Sequence, residues 1–190
     1  MEKPELIIIG GANGSGKTTL AREFVVVENL DYLGADEIAR ELNPANPEAE
    51  AISAARIFTR RLDDYLEKEK SVLVESTLSG LSLQKHLLKA RAKGFEITIL
   101  FVYLDSPDLC IERVAARVAK GGHHVPAGDI KRRFKRANIN FRNVYKHLAD
   151  KWNLFYNTGE IITQIANGDY QGLTILDDVR YQEWLELTEK

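Results

Sequence analysis

The sequence predicts an α/β fold, a mostly parallel sheet with helices on both faces. Three observations lead there. Short apolar, β-branched runs at 6–9, 72–74 and 97–104 have the length of strands buried on both sides. The segments between them repeat apolar residues at helical spacing, with charges elsewhere. The two signals alternate along the chain, so successive strands are joined by helical crossovers and run parallel. At 190 residues the chain fits one domain, 1–190, with a sizeable core. No internal repeat, low-complexity segment or linker interrupts it.

The first strand is Leu6-Ile7-Ile8-Ile9. It leads into Gly11-Ala12-Asn13-Gly14-Ser15-Gly16-Lys17-Thr18, which fits G-x-x-x-x-G-K-[ST]. A helix over 19–27 follows, with Leu20, Phe24 and Val27 on one face. Strand, glycine loop and helix in that order make a phosphate cradle. The glycines let backbone N–H groups turn around an anion, and the helix N-terminus adds unpaired donors. Lys17 can reach β- and γ-phosphates, and the Thr18 hydroxyl can ligate Mg²⁺. The predicted nucleotide-binding set is Gly11, Ala12, Asn13, Gly14, Ser15, Gly16, Lys17, Thr18 and Thr19. The fold class is thereby narrowed to the P-loop NTPase fold.

The remaining elements read in order. A short strand over 32–35 ends at Asp36. A long helix over 47–68 carries Ala51, Ala55, Phe58, Leu62 and Tyr65 on one face. The strand 72–74 ends at Glu75, and a helix over 82–93 is stopped by Gly94. The run 97–104 is the longest strand candidate and reads as central. Ser106-Pro107-Asp108 is a helix start, with a capping serine and proline at the first helical position. That helix has Ile111, Val114, Ala115 and Val118 as its apolar face and ends at Gly121-Gly122. A helix over 129–150 carries Ile130, Phe134, Ala137, Phe141, Val144 and Leu148. Strands at 154–157 and 161–165 and a helix at 182–187 complete the chain.

Ligands of such sheets bind beyond the carboxyl ends of the strands. The glycine loop, Asp36 and Glu75 all fall there. Phosphoryl transfer needs positioning, charge neutralisation and a group that accepts the acceptor hydroxyl's proton. Asp36 suits that last role, and suits equally an N-cap for the helix 37–42. Glu75 can hold Mg²⁺ through water or bind a substrate hydroxyl. Asp105 also ends a strand, where a metal-side role competes with the stronger reading of helping Ser106 to cap. Arg113 and Arg117, one helical turn apart, share a face beside the apolar stripe and can clamp phosphate oxygens.

Lys120-Gly121-Gly122-His123-His124-Val125-Pro126 has glycines at one end and proline at the other, the pattern of a hinged, ordered lid loop. The basic run Lys131-Arg132-Arg133-Phe134-Lys135-Arg136 follows, with Phe134 turned to the core. The helical lid spans about 113–136. Adjacent His123 and His124 on a strand would point to opposite sides and not share a metal. Cys110 reads as a core residue.

Composition excludes several classes. Net charge is −2, which gives no general attraction to nucleic acid or an anionic membrane and argues against a nucleic-acid partner. One cysteine forms no disulfide framework, as in a reducing cytoplasm. No apolar run reaches membrane-spanning length, and the chain enters its first strand without room for a signal peptide.

Together these residues resemble the zeta toxin family of P-loop kinases. The matching pieces are Gly10 to Thr18, Ala35-Asp36-Glu37-Ile38-Ala39, Glu75-Ser76-Thr77-Leu78-Ser79-Gly80, Arg113 to Val118, Gly121-Gly122-His123 with Val125-Pro126, and Ile130 with Arg132-Arg133-Phe134. The resemblance implies ATP- or GTP-dependent phosphorylation of a hydroxyl on a small acceptor, which is UDP-N-acetylglucosamine in the best-known members. It implies a catalytic set of Lys17, Asp36, Arg113 and Arg117, with Asp36 as base. It implies substrate contacts from Asp36, Glu75, Thr77, Arg132 and Arg133. Tyr156 stands where a similar family motif has aspartate. An antitoxin partner is not inferable from the chain. Other readings of the same residues are a kinase of another metabolite or of nucleic-acid ends, and a nucleotide-dependent regulatory module without transfer.

Overall fold

Every second residue of the first strand points to the same side of the sheet, and this alternation builds two cores. The computed structural model describes residues 3–28, 30–158 and 161–189. Its strands are β1 (Glu5–Gly10), β2 (Asp31–Gly34), β3 (Val72–Ser76), β4 (Glu96–Tyr103), β5 (Lys151–Tyr156), β6 (Thr163–Asp169) and β7 (Gly172–Ile175). Its helices are α1 (Lys17–Glu28), α2 (Ala35–Leu42), α3 (Ala51–Glu67), α4 (Gln84–Ala92), α5 (Pro107–Ala119), α6 (Ala127–Asn143) and α7 (Asp178–Glu189). Leu6, Ile8, Val74, Ile99 and Phe101 face one side, packed by α3, α4, α6 and α7. Ile7, Ile9, Leu100 and Val102 face the other, against Leu20 and Ala21 of α1. A strand covered on both faces must be apolar throughout, which is why β1, β3 and β4 read as continuous runs.

The sheet order is β2-β3-β1-β4-β5-β6-β7. The five strands from β2 to β5 are parallel, and β6 and β7 add an antiparallel edge. The strand expected at 161–165 is β6, shifted toward the C-terminus, and β7 was not anticipated. Its residues are all exposed, so it lacks the burial pattern that marks a strand in sequence.

Several helices differ from their expected form. The segment 47–68 divides into a short 3₁₀ turn, Pro47–Glu50, and α3. Its inward face is Ala54, Leu62 and Leu66, while Ala51 and Ala55 are exposed. A methyl group left in water costs little, so the leucines decide which way the helix turns. In α5 the buried pair is Cys110 and Val114, and Ala115 is exposed. The helix expected over 129–150 ends at Asn143: the backbone leaves the helical path at Val144 (φ −128°, ψ −62°), and Tyr145 beyond it donates its hydroxyl to the carbonyl of Gly80. Val27, expected on the apolar face of α1, has its side chain outside the described part of the structure.

Aromatic packing fixes α6 and α7 on the sheet. Phe141 stacks on Phe101 with centroids 4.3 Å apart and meets the edges of Trp152 and Trp184, each at 5.9 Å. Phe141→Ala should therefore destabilise the protein by about 3–5 kcal/mol, read from the shift of its denaturant midpoint.

Candidate active site

The glycine loop is formed by close approach between backbones. Gly11 has φ +141°, and a Cβ on it would lie 2.2 Å from the Val102 carbonyl oxygen of β4, so no other residue fits. The loop then turns into α1, where the N–H of Thr19 donates to the Gly16 carbonyl. Asn157, just past β5, ties the loop down from the other side. Its Nδ2 donates to the Ser15 carbonyl at 2.7 Å, and its own N–H donates to Tyr103 of β4. Ala12, Asn13 and Ser15 are buried within this frame.

Lys17 is only 6% exposed. Its Nζ donates to the Ala12 carbonyl at 2.9 Å and stands 3.9 Å from Glu75 Oε1. Burial pulls its pKa below the usual lysine value. The charges of Glu75 and Asp36 oppose that shift, and Arg117 adds to it. Glu75 receives two hydroxyls as well: Thr18 Oγ1 at 3.1 Å on Oε1, and Tyr32 OH at 2.8 Å on Oε2. The loop thus folds its cation onto its own carbonyl and onto one carboxylate.

Asp36 lies in the first turn of α2 and is exposed. The capping reading of Asp36 is corrected here. Gly34 occupies the N-cap position and no side chain caps the helix, which leaves the Asp36 carboxylate free of that duty. Its charge acts on Lys17 and Tyr32. Thr77 and Ser79 share a hydrogen bond of 2.8 Å in the loop after β3. Between them, buried Leu78 adopts φ +54°, a left-handed conformation that costs a side-chain-bearing residue about 1–3 kcal/mol. Asn140 of α6 holds it in place by donating to its carbonyl at 3.0 Å.

Arg113 and Arg117 lie on one flank of α5. Arg117 donates to the His123 carbonyl at 2.7 Å, and its Nε is buried without a partner. Arg113 reaches the Thr158 carbonyl at 3.5 Å. With Ala116, Lys120, Gly121 and Gly122 they line an open cleft of about 420 Å³. Three of these six residues are cationic and none is a carboxylate, so the cleft attracts anions. Arg133 joins the loop through Asn13 Oδ1 at 3.1 Å. Arg132 does not: it is exposed and paired with Asp129 at 3.0 Å. Thr19 is also exposed, on the outer side of α1. His123 and His124 sit in a loop rather than a strand, and both Nδ1 atoms face Glu48 Oε1, at 3.9 and 3.7 Å.

Asp105 does not help to cap α5: Ser106 alone does so, by accepting from Leu109 N, while Asp105 accepts from Tyr156 OH at 3.0 Å. Cys110 is in the core as expected, and burial pushes its thiol up to about 11. Tyr32 and Asn157 are the site residues that sequence reasoning missed. Asn157 had a legible signal, a polar residue directly after a strand that borders the loop.

Thr18 and Glu75 present hard oxygen donors side by side at the ends of α1 and β3. That set fits Mg²⁺, which takes one or two protein oxygens and completes its shell with phosphates and water. Among the described residues no group of three or more His, Cys, Asp or Glu could hold a metal. No helix among them is long and apolar enough to cross a membrane.

Fold and loop together define the class, a P-loop nucleotide-binding protein. Similarity to known proteins places the chain within that class. The family model described as Zeta toxin matches residues 1–166, and the chain belongs to that family. An uncharacterized protein of Haemophilus influenzae is 32% identical over 124 residues, covering 65% of this chain and 88% of that one. The crystal structure of AvrRxo1-ORF1:-ORF2 with ATP superposes with a TM-score of 0.76 at 16% identity, covering 98% of this chain and 64% of that one. The PezAT chromosomal toxin–antitoxin system of Streptococcus pneumoniae gives a TM-score of 0.65 at 16% identity, covering 100% and 86%. A gluconokinase from Sinorhizobium meliloti 1021 gives 0.52 at 14%, covering 100% and 94%. At such identities the solved structures show a shared fold.

Asn157→Ala would leave the buried Ser15 carbonyl without its donor. It should cost about 1–3 kcal/mol in urea unfolding and weaken ATP binding in the same titration series.

Proposed function

We propose that this chain transfers the γ-phosphoryl group of ATP or GTP to a hydroxyl of a small acceptor. The observation that carries the reading is the single assembly of Lys17, Thr18 and Glu75, with the charges of Asp36 and Arg117 acting on the same ammonium. Lys17 is bonded to a backbone carbonyl, that of Ala12. A triphosphate in the loop offers it better acceptors, and the loop N–H groups and the α1 N-terminus hold the same anion.

Each residue then has a role. Thr18 would hold Mg²⁺ through its hydroxyl and Glu75 through the metal's water, and the ion would neutralise charge on the phosphates. Asp36, free of capping, accepts the proton of the acceptor hydroxyl as that oxygen bonds to the γ-phosphorus. The bond from phosphorus to the β–γ bridging oxygen breaks, and the nucleoside diphosphate leaves. Arg117 and Arg113 neutralise charge on the moving group once the lid closes. Arg133 supports the loop through Asn13, and Thr77 lines the acceptor side. Arg132 belongs to the same lid and reaches the acceptor only by leaving Asp129. The family resemblance makes UDP-N-acetylglucosamine the first acceptor to test, and the buried free thiol of Cys110 suits a reducing cytoplasm.

Incubation with γ-labelled ATP or GTP and a cytosolic metabolite extract should label a small molecule, identified by mass spectrometry. Nucleotide binding without any labelled product would reject transfer. Lys17→Ala should lose ATP binding in isothermal titration. Asp36→Asn should keep that binding while the transfer rate falls about 100- to 10,000-fold, the range for loss of a general base.

A further inference from the structure

Glu75 can serve a metal only if one of its oxygens is held toward Thr18. The residue that holds it comes from the edge of the sheet. Tyr32 and Gly34 stand two positions apart on β2 and so share a face. In the register of β2 on β3, Gly34 lies opposite Glu75 and Tyr32 opposite Leu73. The Tyr32 ring leans along the strand over Gly34, and its hydroxyl donates to Glu75 Oε2 at 2.8 Å. Oε1 is thereby left to Thr18 and Lys17. The ring itself packs against the core between the sheet and α1.

Gly34 makes this reach possible. Its backbone is ordinary extended chain, φ −133° and ψ 133°, so conformation does not demand glycine. Clearance does: a Cβ there would lie 2.6 Å from the Tyr32 hydroxyl oxygen and 3.0 Å from Cζ.

We propose that Tyr32 is a positioning residue that fixes the Glu75 carboxylate toward Thr18 and the Mg²⁺ held there, and that Gly34 exists to clear its path. The proposal rests on the reading of Glu75 as the metal-side carboxylate. Tyr32→Phe removes one hydroxyl and keeps the packed ring. Gly34→Ala displaces the hydroxyl without altering the tyrosine.

The test is isothermal titration of ATP into the full chain, with and without Mg²⁺, for wild type, Tyr32→Phe, Gly34→Ala and the double variant. Metal-free ATP affinity should be the same in all four. The gain in affinity on adding Mg²⁺ should shrink about 10- to 100-fold in Tyr32→Phe, the usual loss when the partner of a metal-holding group is removed. Gly34→Ala should lose a similar factor, and the double variant should be no worse than Tyr32→Phe alone. A full Mg²⁺ gain in Tyr32→Phe would overturn the proposal. So would an equal loss of metal-free affinity, which would make Tyr32 a support of the whole loop. A double variant losing the product of the two factors would give Gly34 a separate role. A wild type that gains nothing from Mg²⁺ would sink the metal reading of Glu75 itself, and this inference with it.

Discussion

A buried ammonium is the constraint on which the rest of this structure depends. Lys17 has to be out of water to grip a phosphate strongly, yet it has to remain charged before the phosphate arrives. Glu75 resolves the conflict at 3.9 Å, with the Ala12 carbonyl completing the lysine's bonding. A charged group without such partners would give up its proton. The carboxylate in turn is held by two hydroxyls, Thr18 from α1 and Tyr32 from β2.

The sheet brings these groups together because parallel strands end on the same side. Gly10, Gly34, Glu75 and Tyr103 all lie at or next to the carboxyl ends of their strands, so they gather at one end of the sheet. Asn157 follows β5 at that same end and ties the phosphate loop to it. The site is thus supported from both sides of β1, by β3 and β2 on one hand and by β4 and β5 on the other.

Residues 113–136 are held by a third apolar cluster, Val114, Val125, Ile130 and Phe134 against Ala12, Leu104 and Cys110, with polar contacts around it. Arg117 keeps the 121–126 loop close through the His123 carbonyl, while Glu48 faces both histidines from beyond α2. Arg133 reaches back to Asn13 in the phosphate loop. Charged and polar contacts of this kind can be exchanged for contacts to a ligand at small net cost, which packed apolar surfaces cannot do. The core beneath α6 is aromatic: Phe101, Phe141, Trp152 and Trp184 interlock there.

The sequence by itself determined the parallel sheet, the phosphate loop and the carboxylates at the strand ends. These are local properties: continuous apolar runs of strand length, glycine spacing, and a charged residue where a strand stops. It also determined Phe134 as the inward residue of a basic run, since an aromatic among charges has one place to go. Only the tertiary structure decided the helix faces of α3 and α5, the exposed β7 edge, and the release of Asp36 from capping. It alone brought Tyr32 and Asn157 to the site. Each of these depends on which distant segment lies opposite: Tyr32 is 43 residues from Glu75, and Asn157 is 142 from Ser15. No spacing along the chain encodes such a meeting, because it is fixed by strand register and packing.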